Sequence, residues 1–550
     1  MDSALRGILD EAAADMSSDL PKRPKHAGLC VGFAPMSRRL PHGARLFTLV
    51  AVLIALIAAG CGSDSTSSSG NGPDPATVAP AKAALYGQAI VRPDGDMKAG
   101  VLAAARKVLV VDDPGAELDR LLDRLGDEGG TSYSQDIEPW LGQTVGGFLL
   151  MPIGGSDDPD WAVALAIADR GAFDAALPRL RRHDQHPAGR YSGIAYDKDD
   201  TDDTYSAAVG DFYVGGTLAG LRAAIDASKG SSLAEASNFT DAVGAIPDDA
   251  LAFAYVDPKA IVAAAGTLED APANARRALA RFADAEPVTA SLTATADEIA
   301  IEASGGAEVT EALDSDSDAT VTVGQLPGDS WLALATPPLG PLIRSALAGA
   351  GIHDQAAAQV QQGIGLDLDR DLLEPLGGLG VFVRGESPLD IGGGALLQMT
   401  DAVAAQRLLT RIQAIVGAGL GVPVRPLAVS GARGFQVQIP QSPQPIVVLA
   451  KGDRLAAGYA ASSAQDLLDP QQRFDDSSDG KAAIGTLGDG YTPSFVLIVP
   501  PLAGLLRSLD QLEVADLSPV LPYVDAYRSL AIGTKRDGDR TSVRIVAALR

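Results

Sequence analysis

Past residue 84 the chain alternates apolar runs of strand length with longer stretches whose apolar positions recur every three to four residues. The first kind reads as strands and the second as amphipathic helices. A strand LYGQAIV from Leu85 precedes helical stretches at 97–110 and 116–125. The acidic-proline element Asp136-Ile-Glu-Pro-Trp-Leu-Gly142 leads into an apolar strand at 146–151, and a strand and helix follow in AVALAIADRGAFDAALPRLRR from Ala162. Ala208-Val-Gly-Asp-Phe-Tyr-Val214 reads as a hairpin turning at Gly210-Asp211, because glycine tolerates the positive φ of a two-residue turn. LAFAYVDPKAIVAAA from Leu251 reads as a strand whose proline opens a helix, and 288–303 as a closing polar hairpin.

The same order recurs about 240 residues later. Trp331 opens WLALATP, and helical stretches at 339–347 and 356–364 follow it. Asp371-Leu-Leu-Glu-Pro-Leu-Gly377 leads into a strand at 380–383, and ALLQMTDAVAAQRLLTRIQAI begins at Ala395. A hairpin then turns at Gly452-Asp453, SFVLIVPPLAGLLRSL begins at Ser494, and a hairpin at 529–548 closes the chain. The offset between paired elements stays between 233 and 246 residues. The expected fold class is therefore α+β: two related domains from internal duplication, each with mainly antiparallel sheet and packed helices. The expected divisions are a non-native extension at 1–35, a signal peptide at 36–60, a flexible tether at 61–83, repeat domains at 84–305 and 322–550, and a linker at 306–321.

The first 60 residues differ from all of this. An uncharged apolar run of 14 residues, 46–59, follows Arg38, Arg39 and Arg45 and ends at Ala58-Ala59-Gly60-Cys61. A membrane-spanning helix needs about 20 apolar residues, so the run is too short to span and reads as an export signal. It resembles the bacterial lipobox, which implies cleavage between Gly60 and Cys61 and lipidation of Cys61. Met36 begins a compact signal of that kind, which makes it the expected start of translation. The Ser/Gly/Pro-rich stretch after Cys61 reads as a tether spanning about 25 Å.

Charge and cysteine content narrow the function. The leader holds 7 Lys/Arg and 5 Asp/Glu, leaving 37 basic against 65 acidic groups and a formal charge of −28 after Cys61. Nucleic acid and anionic membrane surfaces both select for clustered cations, so neither is an expected partner of the folded part. The only cysteines are Cys30 and Cys61. Disulfides, cysteine-ligated metals and cysteine nucleophiles are thereby excluded from the exported part.

Several clusters invite a chemical role and each has a simpler reading. Asp197 to Asp203 and Asp314 to Asp318 are carboxylate-rich, but Asp202 and Ala319 occupy the sixth position, where an EF-hand loop needs glycine. Both read as solvated turns. His183 and His186 could share a helix face, and His353 is the only other histidine after the leader; a catalytic zinc needs about three ligands, so no metal or other cofactor is expected. Gly392-Gly393-Gly394 reads as a hairpin turn. Trp140, Trp161 and Trp331 read as core anchors, and Glu138 and Glu374 as carboxylates that orient the turn before a strand. Neither G-x-S-x-G nor a phosphate-binding glycine loop occurs.

YGQAIVRPDGD, EPWLG, the AVGDFYVGG hairpin with LRAAIDASKGSSLAEASNF after it, and the FAYVDP strand together resemble an uncharacterised bacterial family, domain of unknown function 3352. The resemblance covers the chain from about Ala84 to its end and implies a membrane-attached or exported protein. It transfers no catalytic residue. The expected role is a lipid-anchored, extracytoplasmic binding or interaction module held to the membrane through its lipid. A carrier of an apolar envelope molecule and a carboxylate-dependent hydrolase are the alternatives.

Overall fold

The computed structural model describes residues 72–127, 132–151, 159–181, 185–201, 203–267, 280, 282–306, 319–364, 366–419, 422–440 and 442–550. Met36, Gly60, Cys61, His183, Asp202 and Asp314 to Asp318 lie outside them.

The first half runs β1 (Leu85–Ile90), α1 (Gly95–Leu109), α2 (Pro114–Asp127), a short π-helical turn (Tyr133–Ile137), β2 (Leu141–Leu150), β3 (Asp160–Ile167), α3 (Arg170–Leu180), β4 (Gln185–Tyr191), β5 (Ile194–Asp199), β6 (Thr204–Val209) and β7 (Phe212–Gly216). It continues through α4 (Leu218–Ala227), α5 (Ser237–Val243), β8 (Ala252–Val256), α6 (Pro258–Thr267), β9 (Val288–Ala294) and β10 (Glu298–Gly306). All its strand pairs are antiparallel, in the spatial order β4-β5-β6-β7-β3-β2-β1-β8-β9-β10.

The second half runs β11 (Ser330–Ala335), α7 (Leu339–Ala350), α8 (His353–Ile364), a second π-helical turn (Leu368–Leu373), β12 (Leu376–Arg384), β13 (Gly392–Met399), α9 (Ala402–Gly419), β14 (Val424–Val429), β15 (Ala432–Val437), β16 (Ile446–Lys451) and β17 (Arg454–Tyr459). Then come α10 (Ala461–Leu468), α11 (Ser478–Gly485), β18 (Thr492–Ile498), α12 (Val499–Gln511), α13 (Leu521–Asp525), β19 (Tyr527–Asp537) and β20 (Arg540–Leu549). Its antiparallel order is β14-β15-β16-β17-β13-β12-β11-β18-β19-β20. The class is thus a mixture of helices and antiparallel sheet. One ladder crosses the midpoint: β10 pairs with β20 from Glu298↔Ala548 to Gly306↔Arg540, so the 20 strands form a continuous sheet.

The outermost strands, β4 and β14, each carry a proline, Pro187 and Pro426. Proline cannot donate to a further ladder, which blunts two edges that would otherwise recruit another strand.

Two buried clusters hold the sheet to its helices. One gathers Phe148, Phe212, Val214, Leu221, Ile225 and Phe239; the other gathers Phe382, Leu449, Phe474, Val496 and Ala531, and also draws in Ala300 of β10. Helix α4 shows how sequence sets this arrangement. Leu221, Ala224 and Ile225 recur at helical spacing and are buried, while Arg222 and Asp226 between them are exposed. Thr217 caps the helix by accepting from the Gly220 amide at 3.0 Å. Gly220 itself lies against β3, where an added Cβ would meet the Trp161 carbonyl oxygen at 2.0 Å.

Three local readings of the sequence are corrected. The stretch 75–83, read from its composition as part of a flexible tether, is packed: Pro75–Val78 forms a 3-10 turn capped by Asp74, and Ala76, Val78, Ala79 and Ala83 are buried. Proline at the start of a helical turn loses no hydrogen bond, so a Pro/Ala run can pack here. At the other boundary, Ala319 and Val321 are likewise buried. Gly392, Gly393 and Gly394 are not a turn; they belong to β13, where a Cβ on Gly394 would meet the Ala457 carbonyl oxygen at 2.4 Å. Missing side chains here serve close strand approach rather than chain reversal.

Candidate functional site

A cleft of about 1240 Å³ opens in the first half. Its walls are the chain from Pro80 to Ala84, the end of β2 at Leu150 and Met151, the start of β3 at Asp160, the outer face of α4, and Ala260 and Ala263 of α6. The cleft exceeds the roughly 300–1,000 Å³ of pockets that take drug-sized ligands. Alanine, leucine and methionine make up about half of its lining residues, and Lys82, Asp160, Asp203, Thr217, Arg222 and Asp226 are among the polar ones.

Each of the cleft's carboxylates has a partner. Asp160 accepts from the Thr217 hydroxyl at 2.8 Å, and Thr217 also serves as the cap of α4. Asp226 accepts from the Tyr191 hydroxyl at 2.8 Å, a bond that raises the phenol's pKa because it favours the protonated form. Asp203 lies 3.0 Å from the Lys198 ammonium, which Asp203 and Asp200 together hold in its charged form. The cations differ. Arg222 stacks over the Tyr191 ring at 5.2 Å, and neither Arg222 nor Lys82 forms an ion pair with a carboxylate among the described residues.

The matching place in the second half holds an ion-paired arginine. Leu150 pairs with Asp160 at the end of the β2–β3 ladder, and Arg384 pairs with Gly392 at the end of β12–β13. Isolated bridges tie Pro80 to Ser232 and Pro327 to Arg473, so Lys82 and Asp329 each lie two residues beyond an equivalent anchor. The largely buried Arg384 guanidinium spans Asp329 at 3.0 Å and Asp466 of α10 at 2.7 Å.

The sequence-derived candidates scatter. Trp140 is 1% exposed, donates its indole N–H to the Asp136 carbonyl at 2.6 Å and meets the Phe173 ring edge-on at 5.1 Å. Trp331 is also buried and donates to the Gly385 carbonyl at 2.8 Å. Trp161 is half-buried, with its carbonyl accepting from the Thr217 amide at 3.0 Å. Helix α3 stops at Leu180 and His186 stands on strand β4, 3.5 Å from Asp200, while His183 lies outside the described residues. Asp197 pairs with Arg181 at 2.8 Å and Asp199 is buried in β5, so this acidic run is part strand and only part turn. Among the described residues no three His, Cys, Asp or Glu side chains converge as a metal site requires.

Glu138 and Glu374 cap the two π-helical turns through their backbone amides, at 2.8 Å to the Tyr133 carbonyl and 2.7 Å to that of Asp369. Asp136 and Asp371, which stand in the same two elements, have a clearer task than Glu138 and Glu374. Asp136 accepts from the Ser132 amide at 3.1 Å and Asp371 from that of Asp367 at 3.0 Å, each closing its turn. Asp136 also binds Arg179 at 2.6 Å. The signal is present in both elements, DIEPWLG from Asp136 and DLLEPLG from Asp371, each of which opens on the aspartate. Asp119, whose pKa is raised by burial and by the nearby Glu138 carboxylate, does not line the cleft.

His353 sits on α8 with its imidazole 3.1 Å from Asp369, and that contact, with a weaker one to Asp354, raises its pKa. A raised folded-state value means that the contact stabilises fully below the unfolded pKa of about 6.5 and is lost as pH rises through the folded value. The thermal midpoint of the protein should therefore exceed that of His353→Gln at pH 6 by more than at pH 8.5. An equal difference at both would contradict the assignment.

No curated protein matches the chain. Solved structures with similarity include crystal form I of TP0453, at 11% identity over 42% of this chain and 79% of that one with a TM-score of 0.24, and crystal form III, at 11% over 72% and 98% with a TM-score of 0.18. Among the described residues no helix is long and apolar enough to cross a membrane. The family model for a protein of unknown function, DUF3352, matches residues 47–549, and the chain belongs to that family.

Proposed function

We propose that this protein is a lipid-anchored, extracytoplasmic envelope protein that acts as a binding module, with the cleft beside α4 as its ligand site. Cys61 carries the lipid, the segment to about residue 74 is the tether, and no catalytic activity or cofactor is assigned. The observation that carries the reading is the cleft itself: spacious and apolar inside in the first half, occupied by an internal ion pair at the matching place in the second.

Internal duplication into two related halves, at 84–305 and 322–550, is part of the proposal. It is supported by the identical strand order of the halves and by the hairpin turns at Gly210 and Gly452, with φ of +59° and +61°. Matching hydrogen bonds add to it, from the Ile167 amide to Asp211 and from the Met399 amide to Asp453, both 2.8 Å. Duplication frees one copy to lose its opening while the other keeps it.

A carrier of an apolar envelope molecule is the second reading, favoured by the Ala, Leu and Met interior of the cleft. The hydrolase reading has no comparable support, since the cleft carboxylates are engaged by hydroxyls or an ammonium. The test is native mass spectrometry of the exported Cys61→Ala chain purified without detergent. A non-covalent small-molecule adduct released on denaturation is expected. A chain that carries no adduct and takes up none from an envelope lipid extract would count against a binding role.

A further inference from the structure

Resting on the cleft as the ligand site, we infer that its ligand is a single-chain amphiphile with an anionic head, the head held by Lys82 and Arg222 and the chain laid along the alanine-rich interior. The argument is one of charge at matched positions. In the second half the place is taken by the side chain of Arg384, an apolar stem tipped with a cation, received by two carboxylates. In the first half the position of Arg384 holds Leu150, the position of Asp329 holds Lys82, and the position of Asp466 on α10 falls at Ala223 of α4, beside Arg222. The internal cation is gone, one receiving carboxylate has become the Lys82 ammonium, and the other has become the neutral Ala223 next to Arg222.

The ligand complementary to that arrangement is an apolar stem tipped with an anion. Asp203 is neutralised by Lys198, while Asp160 and Asp226 keep their charge and spend an oxygen each on the Thr217 and Tyr191 hydroxyls, so neither closes an ion pair with Lys82 or Arg222. The rest of the exported part is strongly acidic, so an anion finds attraction only at short range inside the cleft. The head group can be a carboxylate or a phosphate; the same two cations would serve either.

The experiment uses the exported Cys61→Ala chain and displacement of bound cis-parinarate, read by fluorescence, with oleate, oleoyl lysophosphatidate, oleyl alcohol and inorganic phosphate as competitors. Oleate, lysophosphatidate or both should displace the probe at least tenfold better than oleyl alcohol, with phosphate alone inactive; which of the two anions is stronger identifies the head group. The double variant Lys82→Gln/Arg222→Gln should lose that tenfold preference while still binding oleyl alcohol, which also shows that it is folded. Equal displacement by oleate and oleyl alcohol would overturn the anionic class and leave the cleft standing. Displacement by phosphate alone would overturn the amphiphile. Failure of the probe to bind, or binding unchanged by Ala219→Trp at the cleft, would overturn the cleft itself.

Discussion

The Cys61→Ala protein is expected in the aqueous phase of a detergent partition, whereas the natural chain should collect almost wholly in the detergent phase. The reasoning starts from the length of the apolar run. Fourteen uncharged residues are too few to span a bilayer, and among the described residues no helix is long and apolar enough to do so. Attachment then depends on what is added at Cys61. One acyl chain holds a protein only marginally, while two chains at about 0.8 kcal/mol per buried methylene make a stable anchor. The acidic surface gives no electrostatic help toward anionic headgroups, so loss of the lipid should release the protein completely. Equal aqueous partitioning of both proteins would remove the anchor from the account.

Trp140→Ala is expected to cost about 3–5 kcal/mol, the range for deleting a fully buried aromatic. The indole fills the space between α3 and the sheet against Phe173 and Tyr213, and its N–H satisfies the Asp136 carbonyl. Truncation opens a cavity and strands that carbonyl in a buried place at once. Trp140→Phe should recover much of the packing and none of the hydrogen bond, so it should fall between. Urea unfolding followed by the fluorescence of the remaining tryptophans would measure both, and a loss below about 1 kcal/mol for Trp140→Ala would show that this element does not anchor the first half.

The Trp140 element was legible in the sequence because its features are local: an acidic turn, a proline, then an apolar run. The Gly210-Asp211 and Gly452-Asp453 turns were legible for the same reason, since a two-residue hairpin demands glycine whatever surrounds it. Pairings set at a distance were not. Nothing in the polar hairpins at 288–303 and 529–548 states that β10 and β20 would bond to each other, because partner choice between strands far apart in sequence is made by the whole sheet. The triple glycine misled because glycine serves both turns and close strand contacts, and only the facing strand β17 decides between them. The stretch 75–83 misled through composition: small residues and prolines describe a tether and also a tightly packed turn. The cleft left no motif, being lined largely by ordinary alanines whose meaning comes from comparison with the corresponding positions of the second half.

That contrast gives the most direct test of the binding site. Ala219 and Ser462 are the second residues of α4 and α10, both exposed, and only Ala219 lines the cleft. A tryptophan at either position should fold equally well, but only Ala219→Trp would block the opening. Native mass spectrometry of the two variants in the Cys61→Ala background should show the small-molecule adduct lost from Ala219→Trp and retained by Ser462→Trp. Retention by Ala219→Trp, or loss from Ser462→Trp, would contradict the assignment of the ligand site to the first half.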